Sequence, residues 1–310
     1  MFKPIFCLMG PTASGKTDMA CELFEQLPLE IVSVDSVMLY RELNIGSAKP
    51  NVAFLARFPH HLINLIDPPE HYSAAQFCEA AHTLCQAIFA RGRYPLLVGG
   101  TMMYFKALQQ GLAELPEADA TLRQEILAQA KAHGWDYLHA ELMKVDPLTA
   151  SRVHSHDKQR IQRALEVYRL TKQPLSEIHK QQRSESSHLF INFSLIPENR
   201  SWLHERIAIR FQHMLDEGLV AEVDALQKKW TLTAESPSMR CVGYRQVLAY
   251  LQGEYGYADM CAKGAAATRQ LAKRQLTWLR HWPDMQSFHA EDRASTQSIL
   301  AIMRRILDNS

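Results

Sequence analysis

The chain has 310 residues, enough for one large domain or two modest ones, and 47% hydrophobic against 22% charged residues is the balance of a soluble globular protein. Such a length buries a sizeable core without disulfides or structural metal, and the six cysteines (Cys7, Cys21, Cys78, Cys85, Cys241 and Cys261) form no C-x-x-C pair, so packed, reduced thiols of a cytoplasmic protein are expected rather than a zinc site or disulfide framework. No run of 18 apolar residues occurs and the apolar stretch after Lys3 stops at Gly10, so neither a membrane span nor a signal peptide is expected.

The formal net charge is only +1, so any polyanion site must be local. Residues 152–183 carry eight Lys/Arg against three Asp/Glu, and residues 240–282 carry seven against two, a balance of +5 in each; the remainder is net acidic. Two basic islands indicate a localised polyanion site, with solvated helix faces as the plainer reading.

In chain order, residues 4–9 read as a short buried strand, followed by a glycine-rich turn and a helix over about Lys16 to Gln26. Residues 29–34 read as a second strand, Ala74 to Arg91 as a helix, and Pro95–Val98 as a third strand ending at Gly99-Gly100. Apolar, β-branched strands alternating with helices predict an α/β fold with a parallel sheet covered on both faces. Near Leu115-Pro116 the pattern turns helical, with helices predicted near 119–133, 135–144, 147–154, 157–171 and 174–182; Pro147 and Pro174 suit first turns. Strand character returns at 189–196, and helices are predicted from there to the end. The domain reading is therefore a core of residues 1–115 and 189–310 with a helical insertion over 116–188.

Gly10-Pro11-Thr12-Ala13-Ser14-Gly15-Lys16-Thr17 matches G-x-x-x-x-G-K-[ST] between a predicted strand and a predicted helix. Backbone N–H groups of such a loop bind phosphate oxygens at a helix N-terminus; Lys16 adds a point charge, and the Thr17 hydroxyl is placed to ligate Mg²⁺. The motif specifies a diphosphate or triphosphate. It leaves open whether ATP binds, and whether hydrolysis, phosphoryl transfer or departure of a diphosphate follows.

Five further segments carry a resemblance. They are Ser33-Val34-Asp35-Ser36-Val37-Met38-Leu39-Tyr40-Arg41 with Asn44–Pro50; Leu97-Val98-Gly99-Gly100-Thr101-Met102-Met103-Tyr104; Asp157-Lys158-Gln159-Arg160-Ile161-Gln162-Arg163; Arg240-Cys241-Val242-Gly243-Tyr244-Arg245-Gln246; and Lys273-Arg274-Gln275-Leu276-Thr277-Trp278-Leu279-Arg280. With the phosphate loop, this ordered set resembles the bacterial tRNA dimethylallyltransferases (the tRNA isopentenyltransferase family) from about residue 4 to 282. Small departures fall at Val37, where the family more often has a smaller residue, and at Met103.

The resemblance implies a P-loop kinase-like core whose phosphate site serves dimethylallyl diphosphate with Mg²⁺. It implies transfer of the dimethylallyl group to N6 of adenine 37, beside the anticodon of tRNAs reading codons that begin with U, with release of diphosphate. Asp35 is implied as the acceptor of the N6 proton, Thr101 as a contact to the target nucleotide, and Arg210 as an aid to diphosphate departure. Contacts to the tRNA anticodon arm are implied for Asp35 to Met38, Thr101, Arg123, Gln159 to Arg163, Arg240 to Arg245 and Lys273 to Arg280. On position alone, Asp35 and Thr101 read equally as helix caps, and Arg210 as a surface arginine sharing a helix face with Arg206 and His213. On a helix from 268 to 282, Arg269, Lys273 and Arg280 fall on one side, and Leu271, Trp278 and Trp282 on the other. Nothing in the chain requires more than a monomer. The rival readings are a small-molecule P-loop kinase or NTPase, a prenyltransferase of free adenine nucleotides, and a non-catalytic RNA-binding protein.

Overall fold

Six short strands of a computed structural model, which describes residues 3–113, 115–181 and 188–309, form one parallel sheet. They are β1 (Pro4–Met9), β2 (Leu29–Val34), β3 (His60–His61), β4 (Tyr94–Gly99), β5 (Leu189–Ile196) and β6 (Met285–His289), in the order β3-β2-β4-β1-β5-β6. Parallel strands need helical crossovers, and these are α1 (Lys16–Gln26), α2 (Val52–Arg57), α3 (Ala74–Ala90) and α4 (Met102–Gln110) in the first part of the chain. After β5 come α10 (Arg200–Asp216), α11 (Leu219–Trp230), α12 (Tyr244–Leu251), α13 (Tyr257–Arg280) and α14 (Ala294–Asp308). The intervening segment holds α5 (Ala120–His133), α6 (Trp135–Val145), α7 (Pro147–Ala150), α8 (Lys158–Thr171) and α9 (Leu175–Gln181).

The period-2 alternation of the strands sends their side chains into two separate cores. Ile5, Cys7, Met9, Val32, Val34 and Leu97 pack with Phe77 and Ile88 of α3 and Phe105 of α4. Phe6, Leu8, Ile31, Leu96, Phe193 and Leu195 pack with Leu23 of α1 and Ile299, Leu300 and Met303 of α14. Full burial of each such side chain contributes roughly 1.5–3 kcal/mol. Burial on both faces explains the continuous apolar character of β1 and β4.

Two elements depart from the sequence reading. The expectation of unbroken helix after residue 196 fails at β6, whose Met-Gln-Ser-Phe-His sequence has little strand signature and which pairs only with β5, at the sheet edge. The helix expected over 147–154 stops at Ala150, where the Ser151 hydroxyl turns back onto the Leu148 carbonyl at 3.0 Å.

The chain divides into Met1–Gln109 with Ser187–Ser310, and Gln110–Ser186. The second unit has its own core, with Ile126 of α5, Leu138 and Leu142 of α6, and Ile161 and Leu165 of α8 all buried. Aspartates cap α5, α7 and α8: Asp119 accepts from Leu122 N–H, Asp146 from Thr149 N–H and Asp157 from Arg160 N–H.

Candidate active site at the carboxyl edge of the sheet

The carboxyl ends of β1, β2 and β4 are neighbours, which brings three loops of the sequence reading together. The first is the phosphate loop between β1 and α1. Gly15 has φ +89° and Ala13 φ +64°; the glycine adopts that left-handed conformation without strain, whereas the alanine must be held there. Two restraints hold Ala13. Its methyl packs with Leu203 and Ile207 of α10 and Ala272 of α13, and its carbonyl accepts from Arg206 Nε at 2.8 Å. The Arg206 guanidinium lies 4.8 Å over the Trp202 ring. Lys16 Nζ donates to the Pro11 carbonyl at 2.6 Å and to Ser14 Oγ at 3.4 Å. Thr17, in the first turn of α1, has a hydroxyl with no hydrogen-bond partner among the described residues.

The second loop follows β2. Asp35 Oδ1 accepts from Val37 N–H at 2.8 Å and Met38 N–H at 3.3 Å, so one oxygen performs the capping that position alone allowed. Oδ2 accepts no hydrogen bond among the described residues. The third loop follows β4. There Thr101 does not use its hydroxyl to cap α4: Oγ1 accepts from Ser36 N–H at 3.0 Å and pairs with Ser36 Oγ at 3.3 Å, tying the Asp35 turn to the Thr101 loop. Gly99 lies so close to the Val34 backbone, and Gly100 to the Gln275 amide, that a Cβ on either would collide.

The electrostatics identify what these loops surround. Burial, then the Arg210 charge, pushes the Lys16 ammonium down to about 7, with Asp35 opposing. Arg210 is likewise lowered, by burial first, with Asp35 opposing and Arg206 adding to the shift. Burial brings Lys49 down to about 8 against the pull of Glu222 and Asp35; its ammonium donates to the Tyr40 carbonyl and Asn64 Oδ1, both at 2.6 Å. Burial and then Asp35 push the Cys241 thiol up to about 12, which leaves it a neutral neighbour. Lys16, Lys49 and Arg210 therefore all feel the charge of Asp35, which Glu222 exceeds at Lys49 and Asp18 joins at Arg210. Such a site draws in a polyanionic group and sets it beside a carboxylate acceptor.

The residues of the basic segments are distributed unevenly. On α13, Lys273, Arg274, Thr277 and Arg280 are exposed and Leu276 and Trp278 half-buried, while Gln275 and Leu279 face inward. The expected inward face holds in part: Trp282 is buried in the core with Leu279, and Trp278 packs against it half-buried, while Ala272 and Gln275 complete the buried seam and α13 ends at Arg280 before Trp282. In the 240–245 segment Arg240 pairs with Glu235 and Arg245 is exposed, Cys241 and Val242 are half-buried, and Gly243 and Tyr244 are buried. In the other unit Gln159 and Arg160 are exposed and Ile161 is fully buried. Gln162 donates to the Arg123 carbonyl. Arg123 and Arg163 both bind the buried Glu166 carboxylate, at 2.9 and 2.7 Å. Burial raises the affinity of Glu166 for a proton, but the two arginines and the Asp119 N–H outweigh it, so the carboxyl is held below its ordinary range. Ile161, Gly243, Tyr244, Gln275 and Leu279 therefore do not present side chains to a ligand on the surface.

Two residues without a role in the sequence reading, Arg206 and Glu222, support the site, as does Gln275, which the resemblance placed at the tRNA and which instead turns inward. Arg206 holds the phosphate loop. Glu222 of α11 accepts from the N–H groups of Asn44, Ile45 and Gly46 and from the Tyr244 hydroxyl at 2.7 Å, fixing the 44–46 turn ahead of Lys49. Gln275 accepts from Thr12 N–H and donates to the Gly100 carbonyl, each at 2.9 Å. Arg206 had a sequence signal in its spacing of four from Arg210, Gln275 lay in a segment read as a tRNA contact, and Glu222 had none.

Comparison with known proteins supplies independent findings. Residues 38–282 match the family described as IPP transferase, and residues 3–61 that described as Isopentenyl transferase. The chain is 57% identical over 310 residues to a tRNA dimethylallyltransferase of Legionella pneumophila (strain Lens), covering 100% of this chain and 99% of that protein. It is 51% identical over 303 residues to that of Coxiella burnetii (strain Dugway 5J108-111), covering 97% of each. Among solved structures, the full-length tRNA isopentenylpyrophosphate transferase of Bacillus halodurans superposes with a TM-score of 0.74 at 31% identity, covering 100% of this chain and 98% of that one. A eukaryotic dimethylallyltransferase acting on tRNA superposes with a TM-score of 0.82 at 24% identity, over 99% of this chain and 80% of that one, a likeness of fold.

Proposed function

The chain belongs to the IPP transferase family, that of the tRNA dimethylallyltransferases, and from that premise we propose that it moves the dimethylallyl group of dimethylallyl diphosphate to N6 of adenine 37 in tRNAs reading codons that begin with U. The observation that carries this reading is Asp35, a carboxylate whose charge reaches Lys16, Arg210 and Lys49 and whose turn is tied through Ser36 to Thr101. A small-molecule kinase also uses a cationic cradle and a carboxylate base, but it leaves the exposed basic residues of α13 without a use.

The chemistry follows from the acceptor's weakness. The N6 lone pair is delocalised into the adenine ring, so transfer needs an electrophile with carbocation character, which an allylic diphosphate provides. The bond from C1 of the dimethylallyl group to the diphosphate oxygen breaks, and the diphosphate leaves with the electron pair. The N6–C1 bond forms, and the N6 proton becomes acidic enough for Asp35 to take it. Loop N–H groups, Lys16 and Arg210 stabilise the charge that develops on the departing oxygens. The Lys16 ammonium exchanges its contact with the Pro11 carbonyl for a phosphate oxygen. Thr101 and the Asp35 turn hold the base near C1.

Mg²⁺ fits the residues present. It takes one or two protein oxygens and completes its shell with phosphates and water; the unpartnered hydroxyl of Thr17 at the head of α1 is such a ligand. When bound, the ion neutralises charge on the diphosphate.

In the first unit the exposed Lys273, Arg274, Thr277, Arg280 and Arg245 suit phosphates of the tRNA anticodon arm; in the second, taken by itself, the exposed Gln159 and Arg160 do. The Arg123–Glu166–Arg163 group presents a fixed pair of guanidinium edges. Extrusion of adenine 37 from its loop makes N6 reachable. We read the protein as a monomer. None of the described helices is long and apolar enough to cross a membrane, and we assign the protein to the cytoplasm, where its tRNA substrate is found.

The test is diphosphate release. With Mg²⁺ and dimethylallyl diphosphate, release depends on added tRNA and is not supported by AMP; ATP alone is not consumed. Efficient turnover of AMP would favour a nucleotide prenyltransferase, and tRNA-independent ATP turnover a kinase.

A further inference from the structure

Gln275 is out of place for a surface-binding residue. It lies in a helix whose exposed residues are basic, yet it is 8% exposed and sits in the buried seam between Ala272 and Leu279. Its amide spends both ends on main-chain groups of two different loops. Oε1 receives the Thr12 N–H of the phosphate loop at 2.9 Å, and Nε2 donates to the Gly100 carbonyl, one residue before Thr101, at 2.9 Å. A methionine or leucine would fill the seam equally well, so packing alone does not explain an amide there. Close approach on the far side agrees with this, since a Cβ on Gly100 would meet both the Gln275 amide and the Gly10 carbonyl. Ala272, one turn earlier on the same helix, packs against Ala13 of the phosphate loop and Leu203 and Ile207 of α10, so the helix is seated firmly on the cradle.

We propose that Gln275 is a positioning residue for transfer: its one amide sets the spacing between the loop that holds the leaving diphosphate and the loop that holds the acceptor base. The proposal rests on the prenyl-transfer reading above. Thr12 N–H serves the shape of the cradle, because Gln275 occupies it, leaving the N–H groups nearer α1 for phosphate. Gly100 C=O is the fixed point from which the Thr101 side chain reaches Ser36. Loss of the amide frees the two loops to drift. A displacement of about 1 Å at reacting atoms costs on the order of 100-fold in rate, while the binding contacts on each side survive. It also gives water access to C1, so that some of the donor is hydrolysed: water's oxygen bonds C1, the C–O bond to diphosphate breaks, diphosphate leaves with the electron pair, and a proton goes to solvent.

The experiment measures two products in one reaction with Mg²⁺, dimethylallyl diphosphate and unmodified tRNA, namely diphosphate released and adenosine prenylated. In the wild-type chain the two are equal. In Gln275→Met, which keeps the side-chain length and loses both polar ends, kcat for prenylation falls about 10- to 100-fold with KM for donor and tRNA within about threefold. Diphosphate then exceeds prenylated adenosine by about threefold or more, the excess matching dimethylallyl alcohol. The isosteric Gln275→Glu, which keeps an acceptor for Thr12 N–H but cannot donate to Gly100, gives the same inequality and serves if the methionine variant does not fold. A merely structural role lowers both products together, so an unchanged ratio at reduced rate overturns the proposal, as does an unchanged kcat. Failure of the underlying functional reading looks different, because the wild-type chain would then prenylate no adenosine.

Discussion

Lys16 holds its ammonium against a carbonyl of its own loop, and its pKa near 7 instead of the ordinary 10.5 makes the free site a proton-dependent anion receptor. The sign is fixed. Diphosphate binds the charged form, so binding raises this pKa and takes up a proton at any pH between the free and bound values. Affinity for Mg²⁺-diphosphate accordingly falls as pH rises from 7 toward 9. Calorimetry at pH 8 in buffers of different ionisation enthalpy reads the uptake directly, and zero uptake contradicts the assignment. Asp35 has the complementary role: Asp35→Asn lowers prenylation by roughly two to four orders of magnitude with tRNA affinity little changed. Turnover within a few-fold of wild type would remove Asp35 from the proton path. The phosphate loop was legible in sequence because its chemistry demands particular residue types in a fixed local order, whereas the role proposed for Asp35 comes from the resemblance, its position alone reading as a cap. The supporting roles of Arg206, Glu222 and Gln275 were not legible. Each acts on main-chain atoms of a distant segment, 193 residues away for Arg206 and 263 for Gln275 at Thr12, and a backbone partner leaves no mark on the partner's residue type.

At the scale of elements, capping and periodicity made the insertion readable. Asp119, Asp146 and Asp157 stand where α5, α7 and α8 begin, and the buried positions of α8 recur at helical spacing. Strand β6 was illegible for the opposite reason: an edge strand of five residues with Gln and Ser in its middle has no alternating pattern. The C-terminal helix α14, expected as helix, covers one face of the sheet with Ile299, Leu300 and Met303. These residues are fully buried, so Ile299→Ala costs about 2–5 kcal/mol, far more than an exposed helix position. Denaturant unfolding measures it; a loss under about 0.5 kcal/mol would mean α14 is not part of the core.

At the scale of the whole molecule, a net charge of +1 conceals a division of labour. The sheet edge concentrates cations near Asp35, while α13 turns basic residues outward along one side. Family membership and fold class were both readable because motif order and strand–helix alternation span the chain. The inward side of α13 was readable at Trp278 and Trp282, but the place of Gln275 in the buried seam was not, because a polar residue gives no sign of burial. Lys273→Ala is expected to weaken tRNA binding and to reduce the slope of log affinity against log salt by about one phosphate contact. A slope equal to that of the wild type would place RNA elsewhere.

The central claim is that a dimethylallyl group passes from its diphosphate to one adenine beside the anticodon. Purified protein incubated with Mg²⁺, dimethylallyl diphosphate and an unmodified tRNA containing A36-A37-A38, followed by nuclease digestion and mass spectrometry of the fragments, tests it most directly. The account predicts N6-dimethylallyladenosine at position 37 alone, and none when A37 is replaced by guanosine. Product at other adenines, or in the A37-substituted tRNA, would contradict it.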